Sequence, residues 1–147
     1  MTITYLDVET TFVVDENRRT DPSPFNAHNK LVSVQYSHDN GPIQFHWFYH
    51  KDMDEMSSEM TVGESFNLVQ DVLDKTTVLI GHNIKFDLMW LWESGFNYEG
   101  QVYDTMIGEY TLLRGQKWGL SLFDSCVRRK VALKKSDLIH NYMKDGI

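Results

Sequence analysis

Asp7 and Glu9 stand two residues apart at the end of a strand-forming run, Ile3–Val8. A strand repeats every two residues, so both side chains point to one face. Two carboxylates that close repel each other. They need a cation between them or must accept raised pKa values. Hard divalent ions such as Mg²⁺ and Mn²⁺ take oxygen ligands of this kind. A third carboxylate, Asp87, sits in Gly81-His82-Asn83-Ile84-Lys85-Phe86-Asp87-Leu88. Asn83 suits a helix N-cap, which puts Asp87 about one turn (3.6 residues) into a helix. From there it can aim back over the strand ends toward Asp7 and Glu9. Plain alternatives stand beside each reading: a solvated strand end, and an aspartate that merely favours the dipole of its helix. His28, His38, His46 and His50 show no paired spacing for zinc, and nothing around Cys126 marks it as a nucleophile.

Placing those groups takes a sheet. Ile3–Val8 reads as its first strand. Leu31–Ser37 and Pro42–Tyr49 flank the turn signal Asp39-Asn40-Gly41 and form a hairpin, which Ile3–Val8 extends to a meander. Asp15–Lys30 has two prolines and no periodicity, so it reads as a long loop, and Lys51–Gly63 reads as another. Glu64–Lys75 carries Phe66, Leu68, Val69, Val72 and Leu73 at helical spacing. Thr76–Ile80 is a short apolar run reached by that helical crossover, which implies parallel pairing. Ile84–Glu93 is a second helix and Val102–Tyr103 a last strand. Helices over Asp104–Leu113, Ser121–Lys130 and Ser136–Lys144 follow. Trp90 and Trp92 read as helix packing, and Cys126 as a small buried residue. The order βββ-α-β-α-β-α-α-α, which alone allows several folds, predicts a single α/β domain. Its mixed five-stranded sheet combines a three-strand antiparallel meander with parallel strands, flanked by helices.

The 147 residues suit one domain with one core. Hydrophobic residues at 41% and charged residues at 24% exclude disordered, collagen-like and coiled-coil classes. The longest apolar runs, around Leu88–Trp92, fall far short of the roughly 20 residues of a membrane span. The first residues have no signal-peptide pattern, and one cysteine allows no intrachain disulfide, which fits a reducing cytoplasm. The net charge of −7 argues against a nucleic-acid partner when taken alone. Its distribution argues differently. Half of all Lys and Arg lie within residues 114–135, where Arg114, Lys117, Arg128, Arg129, Lys130, Lys134 and Lys135 face only Asp124. Such a stretch can track a phosphate backbone, or it can be a solvated face of two late helices.

Leu6-Asp7-Val8-Glu9-Thr10-Thr11 followed by Gly81-His82-Asn83-Ile84-Lys85-Phe86-Asp87-Leu88 resembles the first two motifs of DEDD-type 3′–5′ exonucleases. The resemblance looks closest to the proofreading domains of phage family-A DNA polymerases. Ser23-Pro24-Phe25-Asn26, Asn29–Val34, Tyr103-Asp104-Thr105-Met106 and Leu120-Ser121-Leu122 extend it through residues 2–147. It implies a ribonuclease H-like fold, two Mg²⁺ or Mn²⁺ ions, and release of nucleotides from the 3′ end of single-stranded DNA. The residues themselves do not separate DNA from RNA. By resemblance, Asp7 bridges both ions, Glu9 also touches the terminal 3′-hydroxyl, and Asp87 holds the second ion. Thr10, Thr11, Phe12, Asn83 and Phe86 are the candidate contacts to the strand end, with Phe12 as a stacking surface. Arg114, Lys117, Arg128, Arg129 and Lys130 are the candidate basic stripe. The resemblance also implies a phage protein in the host cytoplasm, with a DNA polymerase or a second copy of the chain as partner.

One motif of that family has no counterpart. It carries Tyr-x-x-x-Asp or His-x-x-x-Asp on a late helix, for the fourth carboxylate and for the group that orients water. Here Tyr142 is three residues before Asp145 and His140 is five before it. The stretch Lys135–Ile147 resembles the segment preceding that motif. The expectation is therefore a single exonuclease-like domain, 1–147, that stops short of its last catalytic helix. A non-catalytic module that binds nucleic acid or a polymerase is the alternative.

Overall fold

The computed structural model describes residues 1–49 and 62–131. The helix expected over Ser136–Lys144, with His140, Tyr142 and Asp145, lies outside them, as does most of the loop expected over Lys51–Gly63. Two compact units divide the chain, Met1–Thr105 and a second beginning at Met106.

The first unit is built on β1 (Ile3–Thr10), β4 (Leu31–His38), β5 (Gln44–Trp47), β6 (Val78–Gly81) and β7 (Gln101–Asp104). These form the expected mixed sheet, in the order β5-β4-β1-β6-β7. β4 runs antiparallel to β1, and β5 antiparallel to β4. β6 is parallel to β1, and β7 parallel to β6. The hairpin turn works as its residues suggest. Asp39 (φ 48°) and Asn40 (φ 57°) both take the left-handed conformation that a type I′ turn requires, and Gly41 N–H donates to the His38 carbonyl at 2.8 Å.

Helices α1 (Val62–Lys75) and α2 (Ile84–Glu93) cover the sheet of this unit. α1 places Glu64 in its first turn and Lys75 in its last, the polarity its dipole favours. Its Val69 and Leu73 join Leu6, Val34, Leu79, Ile84 and Leu91 in one apolar core. Burying a side chain of that size contributes about 1.5–3 kcal/mol. Trp90 is buried, as expected, and its indole N–H donates to the Pro22 carbonyl at 3.1 Å. Trp92 departs from expectation. It is 51% exposed, because it follows Leu91 round to the outer face of α2.

The segment Asp15–Lys30, expected to be loop throughout, holds part of a short ribbon. β2 (Val13–Val14) pairs antiparallel with β3 (Thr20–Asp21). The rest is ordered by side-chain turns. Asp21 accepts the Ser23 amide at 3.0 Å, and the buried Asn29 donates to the carbonyls of Asp21 and Ser23 at 2.7 and 2.9 Å. The period-free sequence concealed this because Asx-type bonding leaves no hydrophobic pattern.

In the second unit, α3 (Thr105–Leu112) continues from Met106 and α4 (Leu122–Arg129) follows. Ser121 caps α4 by accepting the Asp124 amide at 3.0 Å. Glu109 of α3 is buried and takes Arg128 Nε at 2.8 Å and Arg129 Nε at 3.1 Å. Cys126, expected to be buried, is only partly so, since α4 buries none of its residues. Among the described residues, no helix is long and apolar enough to cross a membrane.

Candidate active site

Three strands of the first unit, β1, β6 and β7, run parallel, so their C-terminal ends share one edge of the sheet. In open α/β sheets that edge is where ligands bind. Along β1, Thr4, Leu6 and Val8 are buried while Tyr5, Asp7 and Glu9 are exposed. Asp7 and Glu9 therefore do share a face, as the strand period requires. The pairing of β1 with β4 shifts register between Glu9 and Thr10. The extra residue there, Val32, lies on β4, so it is β4 that bends beside the end of β1.

β6 pairs with β1 through Ile3–Tyr5 and then ends. Beyond that point the Val8 amide donates to a side chain, the Oδ1 of Asp87, at 2.9 Å. Asp87 sits in the first turn of α2 and is only 3% exposed. Burial pushes its carboxyl up to about 7. The charges of Asp7 and Asp104 push in the same direction, and the Val8 amide opposes them. The structure thus brings Asp7 within electrostatic reach of Asp87 and adds a carboxylate, Asp104, that the sequence marked as a helix start and not as part of the site. Asp104 closes β7, and its Oδ1 accepts the Asn83 amide at 3.0 Å.

Asn83 precedes α2, as expected, yet caps it differently. It sits at φ 61°, ψ 43°, and its side chain makes no capping hydrogen bond. The backbone carbonyl of Asn83 accepts the Phe86 amide at 3.0 Å instead. The side chain is left exposed at the sheet edge. Phe86 packs against the apolar core and is partly buried. Phe12 is 57% exposed, which suits a stacking surface. Thr11 is engaged internally: its amide donates to the Lys30 carbonyl at 2.9 Å and its hydroxyl accepts the Lys30 amide at 2.7 Å. Both groups of Thr11 are thus already bonded within the chain.

Of the basic residues in the second unit, Arg114, Lys117 and Lys130 are exposed. Arg128 and Arg129 are drawn onto Glu109, and Arg128 also donates to the Gly119 carbonyl at 3.1 Å. The Arg128 guanidinium, followed by that of Arg129, holds the Glu109 carboxyl below the ordinary carboxylate range. The sequence offered no sign of this, because the partners are 19 and 20 residues apart.

Among the described residues, no three His, Cys, Asp or Glu side chains close into one metal-ligand set. The donor chemistry at the sheet edge nevertheless suits a hard divalent cation. Asp87 is a buried carboxylate raised further by negative neighbours, and a cation there would relieve both penalties.

A family model described as 3′-5′ exonuclease matches residues 20–145. The chain belongs to this 3′-5′ exonuclease family. The matched span contains Asn83, Phe86, Asp87 and Asp104 and begins after Asp7 and Glu9. The family generally uses divalent metals and acts on nucleic acid. No curated protein sequence matches the chain. Two of the solved structures that resemble it show the likeness. One is the family B DNA polymerase of the hyperthermophilic archaeon Pyrobaculum calidifontis, with 14% identity and a TM-score of 0.58 over 90% of this chain. The other is NrnC of Brucella melitensis, solved with bound Mg²⁺, with 23% identity and a TM-score of 0.56 over 91% of this chain. The chain spans 18% of that polymerase and 56% of that NrnC chain. At these identities the likeness speaks for the fold, which is ribonuclease H-like.

Proposed function

We propose that residues 1–147 act as one exonuclease domain that removes nucleotides from the 3′ end of single-stranded DNA, in the manner of a proofreading nuclease. The observation that carries this is the Asp87 carboxyl, buried on the Val8 amide within reach of the Asp7 charge at the ligand edge of the sheet. Desolvating a carboxylate beside other carboxylates is costly for a purely structural residue and useful for one that receives a cation. Family membership supports the same chemistry.

In this reading Asp7, Glu9 and Asp87 hold two Mg²⁺ or Mn²⁺ ions. When bound, such ions activate the attacking water and stabilise the leaving 3′ oxygen. The residues of the chain do the rest. Glu9, exposed on the face of Asp7, accepts the terminal 3′-hydroxyl. The exposed Asn83 side chain and the partly buried Phe86 wall the terminal nucleotide, and Phe12 offers its ring to the next base. Arg114, Lys117 and Lys130 attract the phosphate backbone. The sequence resemblance supports a setting beside a DNA polymerase in the cytoplasm of a phage-infected cell.

A second reading, a module that binds strands or a polymerase with little turnover, is favoured by one observation. After Asp87, no Tyr or His stands four residues before an Asp. For these 147 residues taken alone, the lack of such a positioned acid–base group would cost about 10²–10⁴ in rate. Digestion of a 5′-labelled single strand with Mn²⁺ or Mg²⁺ separates the readings. The exonuclease reading expects a slow ladder of strands shortened from the 3′ end, abolished by EDTA. Binding without shortening selects the module, and internal cuts contradict both.

A further inference from the structure

The last residue of β7 and the first of α3 pin the residues that leave β6. Asp104 Oδ1 accepts the Asn83 amide at 3.0 Å. Thr105 Oγ1 donates to the Gly81 carbonyl at 3.1 Å and lies 2.9 Å from His82 Nδ1. The turn they pin is tight. A Cβ on Gly81 would come within 2.6 Å of Ile84 Cδ1 and 3.1 Å of the Leu6 carbonyl oxygen. Asn83 then adopts φ 61°, a left-handed conformation that side-chain-bearing residues rarely take and that asparagine tolerates better than most.

An asparagine before a helix ordinarily takes an extended conformation and caps the helix with its own side chain. Here it does neither, and α2 starts from its carbonyl instead. The direction in which α2 leaves the sheet is set at that residue. Four residues later Asp87 must meet the Val8 amide at 2.9 Å. Strained backbone of this kind persists where its surroundings over-determine it, and such places cluster at functional sites.

We propose that Asp104 is a positioning residue for Asp87: by holding the amide of left-handed Asn83 it fixes the start of α2, and so seats the Asp87 carboxyl on Val8. The proposal rests on the reading of Asp87 as a site carboxylate, and it assigns Asp104 no contact with the strand. Glycine adopts left-handed geometry without steric cost, so it should replace what the Asp104 bond supplies.

Amide exchange of Val8, read by NMR against other amides of the β1–β4 ladder, reports the Asp87 seat directly and needs no nuclease activity. Asp104→Ala should speed Val8 exchange about tenfold relative to the ladder, the size expected for losing one hydrogen bond. Asn83→Gly added to Asp104→Ala should restore most of that protection. In Asp104→Ala, where turnover is measurable, kcat should fall with the Val8 protection while KM stays near its original value. Asp104→Asn keeps the shape and an acceptor, and should give a smaller acceleration if the alanine variant does not fold. Unchanged Val8 exchange in whichever of Asp104→Ala and Asp104→Asn folds, or a loss that Asn83→Gly does not repair, overturns the proposal. Altered Val8 exchange in a protein that never shortens a strand leaves Asp104 in its role and removes the exonuclease reading alone.

Discussion

Helix α2 buries Ile84, Leu88, Trp90 and Leu91 and, among them, the carboxyl of Asp87. Helix α4 buries none of its residues. Its Leu122, Phe123 and Val127 are 46–53% exposed, while the Arg128 side chain is 20% exposed against Glu109. In the first case apolar packing is strong enough to carry a desolvated carboxylate into place. In the second, an Arg–Glu–Arg cluster orders the helix and the apolar side chains face outward. Packing therefore dominates in the first unit and charge in the described part of the second. Buried ion pairs are a weak source of stability, and contiguous exposed apolar surface marks a place where something else binds.

The largest expected effect concerns Asp87. Its pKa is raised from 3.8 to about 7, so the folded state keeps a proton there that the unfolded state has lost. Stability of the metal-free protein should then fall as pH rises from about 4 to 7, by on the order of 4 kcal/mol from this group. The penalty is absent below the ordinary carboxylate pKa and complete above about 7. Denaturant unfolding in EDTA at several pH values, wild type against Asp87→Asn, isolates it. A pH-independent difference between the two would mean that the carboxyl is not desolvated.

Core truncation should follow in size. Leu91 is fully buried in the first unit, and Leu91→Ala should cost about 2–5 kcal/mol. Phe123→Ala, at 53% exposure in the second, should stay within about 0.5 kcal/mol. Equal costs would erase the contrast between the two helices and show that the α4 face is covered in solution.

The smallest effect tests the basic residues. Lys117→Glu or Lys130→Glu should reduce the salt dependence of single-strand binding by about 0.7 for each phosphate that is no longer neutralised. Arg128→Glu should instead loosen α3 and α4, because it places a carboxylate against Glu109, and amide exchange across residues 106–131 would show it. A salt slope that responds to Arg128 and ignores both lysines would reverse this division of roles.

Much of the sheet edge was legible in the residues. Helix Ile84–Glu93 followed from apolar spacing, and the shared face of Asp7 and Glu9 from the strand period. The turn at Asp39-Asn40 followed from residue types that tolerate positive φ. Asp104 was read only as the start of a helix, because its bond at the sheet edge depends on a backbone conformation at Asn83. A sequence motif names the asparagine and says nothing of its φ. Glu109 was missed because its partners are distant in sequence. That α4 buries none of its residues was not legible for a related reason. Periodicity shows that a helix has two faces, and the neighbours decide whether either is covered.

The central claim is that the edge holding Asp7, Glu9 and Asp87 is a nuclease centre. Its most direct test is the rate of 3′ shortening of a 5′-labelled single strand in Mn²⁺, compared between wild type and Asp87→Asn, with both proteins shown to be folded. The account predicts slow, cation-dependent shortening by the wild type that falls at least about 10²-fold in the variant. Shortening at equal rates by both proteins, or shortening that persists in EDTA, would contradict it.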